Sequence, residues 1–178
     1  MSLHGQSKDA FSKMQIGAWQ YDVIESGFKC NMTDIQASMG LVELARYQEN
    51  LDRRKAIMQG YHKGFEKYSW AKLPVFETEN KVGSFHLYLL RINGINEDQR
   101  NLIIQEISKK EVAVNVHYMP LPMLTAFKSQ FNICDFGQTY RNFACEISLP
   151  VYFNLTDEQV AQVIDAVVTS VETIINKI

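Results

Sequence analysis

The stretch from Thr156 to Ile175 constrains the fold more than any other. Thr156-Asp157-Glu158-Gln159 has the T-x-x-Q form in which two side chains and two backbone N–H groups satisfy each other at a helix start. Behind it, Val160, Val163, Ile164, Val167, Val168, Val171, Ile174 and Ile175 recur at helical spacing and make one continuous apolar face. A helix of this kind has to lie on an apolar layer supplied by the rest of the chain.

The same cap occurs earlier as Thr33-Asp34-Ile35-Gln36, with Asp34 adding negative charge where the helix dipole favours it. Beyond it Ile35, Met39, Val42, Leu51, Met58, Tyr61 and Phe65 recur mostly at intervals of three, four or seven, and no proline intervenes before Pro74. The pattern predicts one helix from about Asp34 to Lys67, roughly 50 Å long at 1.5 Å per residue. A helix of that length connects two bodies or crosses a subunit interface. Within it the run ENLDRRK, Glu49 to Lys55, alternates in charge and reads as a solvated face with pairs four residues apart.

Ser84 to Ile92 reads as a strand, bounded by Gly83 and Asn93-Gly94. Asn96 caps a helix through about Lys110 whose buried side carries Leu102, Ile103 and Ile107. Val112 to His117 alternates as a second strand and ends at Pro120 and Pro122. Phe131 to Gly137 reads as loop, Thr139 to Cys145 as a short helix, and Glu146 to Leu149 as a short strand closed by Pro150. Few strands interleaved with helices predict an α/β domain of the α+β layer kind, a small sheet covered on one face by helices.

At 178 residues, 46% apolar and 21% charged, the composition is that of a soluble globular protein. A net charge of -2 gives no electrostatic footprint for nucleic acid or an anionic membrane. No apolar run has the roughly 20 residues needed to span a bilayer, and no basic-then-apolar leader opens the chain, so the expected location is cytoplasmic. Cys30, Cys134 and Cys145 fit neither a disulfide framework nor a metal site and read as reduced, structural, buried thiols. Met1-Ser2-Leu3 reads as an expression scar, and the abrupt entry at His4 without a leading strand suggests a fragment.

Chemistry is sparse. The chain has no glycine-rich phosphate loop, no G-x-S-x-G and no H-E-x-x-H, and no metal ligands cluster. His117 and Tyr118 close a strand before Met119-Pro120, where side chains commonly point into a cleft, although a packed histidine is an equal reading. His86, among Phe85, Leu87 and Tyr88, reads as a satisfied core histidine, and His62 as solvated. Asn31 lies two residues before the Thr33 cap. It either satisfies local backbone groups or, with the free N–H groups of the helix start, offers neutral donors to a phosphate.

The ordered series HGQSKDAF, WQYD, GFKCNMTDIQASMGLVEL, ENLDRRKAIMQGYHKGF, SFHLYLLRI, VNVHYMPL and ISLPVYFNLTDEQVAQVI resembles the second half of the DegT/StrS family of pyridoxal-phosphate-dependent nucleotide-sugar aminotransferases. That resemblance implies the aspartate-aminotransferase fold (fold type I). The small C-terminal domain would follow a large cofactor domain, in a homodimer with active sites at the subunit interface. It divides this chain into residues 4–32, the end of the cofactor domain with a substrate loop; 33–70, a connecting helix; and 71–178, the small α/β domain.

The resemblance also implies that Asn31 reaches the phosphate of the neighbouring subunit's pyridoxal phosphate, whereas His117, Tyr118 and His4 face the nucleotide-sugar substrate. The family often has tyrosine where Cys30 stands. The Schiff-base lysine would lie upstream of His4, so no catalytic residue is assigned within the chain and the fragment alone is expected to be inactive. The amino donor would be glutamate, and the HG-x-x-[KR]-D-A-F opening leans toward the sugar C4 position. Two rivals remain: a sugar dehydratase of the same family with histidine in place of that lysine, and a stand-alone dimerisation or regulatory module.

Overall fold

The computed structural model describes residues 22–30 and 32–176. His4 and Asn31 lie outside the described residues. The chain divides into two units, Met1–Tyr47 and Gln48–Ile178.

In the first unit the described helix is α1 (Asp34–Ala45), which opens on the expected box: Thr33 Oγ1 accepts from the Gln36 N–H and Gln36 Oε1 from the Thr33 N–H. None of its residues is buried, and Ile35, Met39 and Val42 stand 75%, 66% and 62% exposed. The single helix expected to Lys67 is instead two. Arg46 (φ -103°, ψ 7°) leaves helical geometry and α2 begins at Tyr47 and ends at Phe65. The apolar spacing runs through this break because spacing reports side chains, not the continuity of the backbone ladder.

The second unit has its sheet in the order β1 (Ala71–Lys72), β4 (Tyr88–Ile92), β5 (Glu146–Leu149), antiparallel throughout, with a separate hairpin of β2 (Glu77–Thr78) and β3 (Lys81–Val82). Helices α3 (Glu97–Ser108), α4 (Gly137–Ala144) and α5 (Asp157–Ile175) complete it, making five helices among the described residues. The α+β layer is as expected from the sequence.

The core joins Tyr61 and Phe65 of α2, Tyr88, Leu90 and Ile92 of β4, Ile103 and Ile107 of α3, Ile147 of β5, and Val167 and Val171 of α5, all essentially inaccessible. The α5 face is buried as its pattern requires, with Ile164 and Ile175 at its margin. Buried this deeply, the Tyr61 hydroxyl donates to the Pro150 carbonyl at 2.8 Å, and desolvation raises its pKa. Where α2 crosses α5, a Cβ on Gly64 would lie 2.6 Å from Ile164 Cδ1, so the approach depends on the missing side chain.

Several expectations change. The strand expected from Ser84 begins only at Tyr88, because Phe85 takes a left-handed backbone (φ 52°) and breaks the extended run. His86 is consequently exposed, not a core histidine. In α3 the buried side carries Arg100 with Ile103 and Ile107, while Leu102 is exposed. The ENLDRRK segment is half-buried, and its cations reach across the fold: Arg53 to Asp157 at 2.8 Å and to the Leu155 carbonyl, Lys55 to Glu77 at 2.6 Å. The cysteines are free as expected, but Cys30 and Cys134 are exposed and Cys145 is half-buried. A 3-10 turn at Ile133–Phe136 occupies the expected loop.

Candidate functional site

The segment Val112–His117, expected as a strand, forms one isolated bridge to β5. Asn115 exchanges both backbone hydrogen bonds with Ser148, at 3.1 and 2.7 Å. Two residues on, the ladder would pair the His117 N–H with the Glu146 carbonyl. It does not, because both groups are already taken. The His117 N–H donates to the Glu146 side chain, Oε2, at 3.0 Å, and the Glu146 carbonyl accepts from Arg100 Nη1 at 3.3 Å.

Alternation along β5 sends Ile147 and Leu149 to the core and Glu146 and Ser148 to the opposite face. The register puts Leu89 beside Ser148 and Arg91 beside Glu146 on that face. Both polar residues of β5 are nevertheless buried, at 5% and 3% exposure, and the Asn115–His117 segment lies against them.

The result is a cleft of about 440 Å³ lined by Pro74, Val75, Leu89, Arg91, His117, Tyr118, Thr139, Asn142, Phe143 and Glu146. Arg91 Nη1 donates to Asn142 Oδ1 at 2.9 Å, which fixes the guanidinium while leaving its other donors available. Tyr118 is exposed and stands edge-on to His117, with ring centroids 4.6 Å apart. His117 Nδ1 lies 2.8 Å from Ser148 Oγ, and Ser148 Oγ donates to Glu146 Oε1 at 2.5 Å. Burial pushes the Glu146 carboxyl above its ordinary range, with the bonds from Ser148 and His117 and the Arg100 charge opposing.

Arg100, itself 3% exposed, donates to the Phe143 carbonyl at 3.0 Å and lies over the Phe143 ring at 4.8 Å, tying α3 to the α4–β5 corner behind the cleft. Its burial lowers its pKa, offset by Glu97 and Glu146.

The structure thus brings His117 and Tyr118 together at one cleft. Glu146, Ser148, Arg91 and Asn142 were not anticipated. The one sign of them in the sequence is the polar alternation of Glu146 and Ser148 with Ile147 and Leu149, which reads by itself as a solvent face. His62, expected to be solvated, is half-buried with its Nδ1 at 3.2 Å from the Tyr88 hydroxyl, and it borders a second cleft with Lys55, Glu66 and Phe76. Among the described residues no group of three or more His, Cys, Asp or Glu could hold a metal, and no helix is long and apolar enough to cross a membrane.

The sequence pattern of the DegT/DnrJ/EryC1/StrS aminotransferase family matches residues 1–168. The putative sugar aminotransferase Spr1654 of Streptococcus pneumoniae, in its PMP form, is 46% identical, with a TM-score of 0.83 over 97% of this chain and 43% of its own. Uncharacterized protein MJ1066 of Methanocaldococcus jannaschii is 36% identical over 174 residues, 94% of this chain and 44% of that protein. The spore coat polysaccharide biosynthesis protein SpsC of Bacillus subtilis is 29% identical over the same shares. The chain therefore spans less than half the length of the curated relatives it matches.

Proposed function

Because the chain belongs to the DegT/DnrJ/EryC1/StrS aminotransferase family, we propose that it is the C-terminal part of a pyridoxal-phosphate-dependent enzyme that aminates a keto sugar carried on a nucleotide. Its α/β fold matches part of the fold type I sugar aminotransferase structures. The amino group comes from glutamate, and the product serves the synthesis of surface polysaccharide or a related glycan. The names of Spr1654, a sugar aminotransferase, and of SpsC, a polysaccharide biosynthesis protein, support this reading.

The observation that carries it is the cleft: His117 and Tyr118, the residues expected to face the nucleotide sugar, line it together with a guanidinium. Arg91, held by Asn142, suits the diphosphate of a nucleotide sugar, because its planar fork matches phosphate oxygens. The exposed Tyr118 offers a hydroxyl and a ring face to the sugar or base.

Among the described residues no lysine lines the cleft, and those that do suit a polar, hydroxyl-bearing ligand. By the family resemblance the covalent lysine would lie on chain preceding these residues, and the 178-residue piece alone would not transaminate. When bound, pyridoxal phosphate supplies the electron sink for amino transfer. Asn31 would donate its amide to the cofactor phosphate across a homodimer interface, a neutral donor to a charged acceptor. His4 would lie near the sugar entrance.

The test is to express the longer protein containing this chain and supply glutamate with a nucleotide-linked 4-keto-6-deoxy sugar. Formation of 2-oxoglutarate and of an amino sugar, and a lysine adduct after borohydride reduction, are the expected results. Absence of both cofactor absorbance and lysine adduct would defeat the reading.

A further inference from the structure

Three hydrogen bonds join a buried carboxyl to the histidine of the cleft. Glu146 Oε2 accepts from the His117 backbone N–H at 3.0 Å, Glu146 Oε1 from Ser148 Oγ at 2.5 Å, and Ser148 Oγ in turn lies 2.8 Å from His117 Nδ1. Counting protons along this path determines more than the distances do. A carboxylate only accepts, and a serine hydroxyl has a single proton to give. With that proton committed to Glu146, Ser148 Oγ can only accept from His117, so Nδ1 must carry a hydrogen. In a neutral imidazole Nε2 is then a bare acceptor. Among the described residues Nε2 has no hydrogen-bond partner, and the ring lines the cleft beside Arg91 and Asn142.

We propose that Glu146 is a positioning residue which, through Ser148, holds His117 in the Nδ1–H form, so that Nε2 selects a donor group, a sugar hydroxyl, and not a phosphate oxygen. The hydroxyl assignment rests on reading the cleft as the nucleotide-sugar side of the pocket; the relay itself does not. It divides the cleft by polarity. Arg91 takes the anionic part of the ligand, and His117 takes a hydroxyl that must give its proton into the hydrogen bond.

Glu146→Gln separates this role from mere packing, because it keeps the shape and turns the acceptor facing Ser148 into a donor. The amide oxygen would stay on the His117 N–H, which needs an acceptor, and the amide nitrogen would donate to Ser148. Ser148 would then turn its own proton toward Nδ1, and the hydrogen of the ring would move to Nε2.

Two-bond proton–nitrogen correlation spectra of the 178-residue chain, with isotope-labelled histidine, read this at about pH 8, where carboxylates are normally ionised. The wild-type chain should show His117 with a protonated Nδ1 and a bare Nε2. Glu146→Gln should exchange the two shifts, and Ser148→Ala should abolish the preference for Nδ1–H. A wild-type spectrum with the hydrogen on Nε2 overturns the relay even if neither variant folds. An unchanged form in either variant also overturns it. Adding UDP-glucose to the longer protein that contains this chain then tests the ligand: a shift of the His117 Nε2 resonance supports the hydroxyl assignment. An unmoved resonance, with the relay intact, overturns the sugar reading of the cleft alone.

Discussion

Arg100 shows how much one side chain can hold. Its guanidinium satisfies the carbonyls of Phe143 and Glu146 in a place that water does not reach. Arg100→Met should leave the Glu146 carbonyl without its donor and the Phe143 carbonyl with the Cys145 N–H alone, and lower stability by about 1–3 kcal/mol, read as a shift in urea midpoint, with Arg100→Lys recovering part of the loss.

Glu146 makes a pH prediction with a definite sign. Burial raises its folded pKa above the ordinary value of 4.5, so the folded chain holds this proton more tightly than the unfolded one. Its contribution to stability is therefore complete below that value and is lost as pH rises through the folded pKa. Glu146→Gln cannot ionise, so its urea midpoint relative to wild type should rise as pH climbs above the ordinary value of 4.5 and through the folded pKa. Arg91, Arg100 and His117 surround the same group. In the longer protein, Asn31→Ala should weaken cofactor retention by about 10- to 100-fold, the loss of one hydrogen bond to a charged acceptor, read by equilibrium dialysis.

At the scale of elements, helix starts are the part of this fold written most directly into the sequence. The boxes at Thr33, Asn96 and Thr156 all form, because each needs only residues three apart. Continuity and contact are different matters. No proline or glycine marks the break at Arg46, and the alternation of Val112 to His117 did not yield a ladder, since Glu146 and Arg100 took its partners.

The crossing of α2 and α5 can be tested at Gly64. Alanine there gains helix propensity of about 1 kcal/mol, but its methyl would meet three atoms of Ile164 within 3.0 Å. Gly64→Ala should therefore destabilise the chain by about 1–3 kcal/mol, and combining it with Ile164→Ala should remove most of that penalty in a double-mutant cycle.

At the scale of the whole molecule, the second unit encloses a continuous core, whereas α1 buries none of its residues. Ile35, Met39 and Val42 stand exposed on one side of α1, and Leu41 and Leu44 are exposed as well, an amount of bare apolar side chain that soluble monomers seldom leave. The 178-residue chain should self-associate in sedimentation experiments, and Met39→Lys with Val42→Glu should reduce this without moving the unfolding transition of the second unit. The sequence alone determined where helices begin, which side of α5 is apolar, the α+β class, and through its ordered motifs the family. Those properties depend on residues within a few positions of each other, or on their order along the chain. Only the tertiary structure decided that Glu146 and Ser148 are buried and do not face solvent, and that Arg100 is buried. It also decided that Leu102 and His86 are exposed. Alternation says that two faces differ, but what covers each face comes from segments distant in the chain, and here the arrival of Asn115 to His117 beside β5 turned a polar edge into a buried relay.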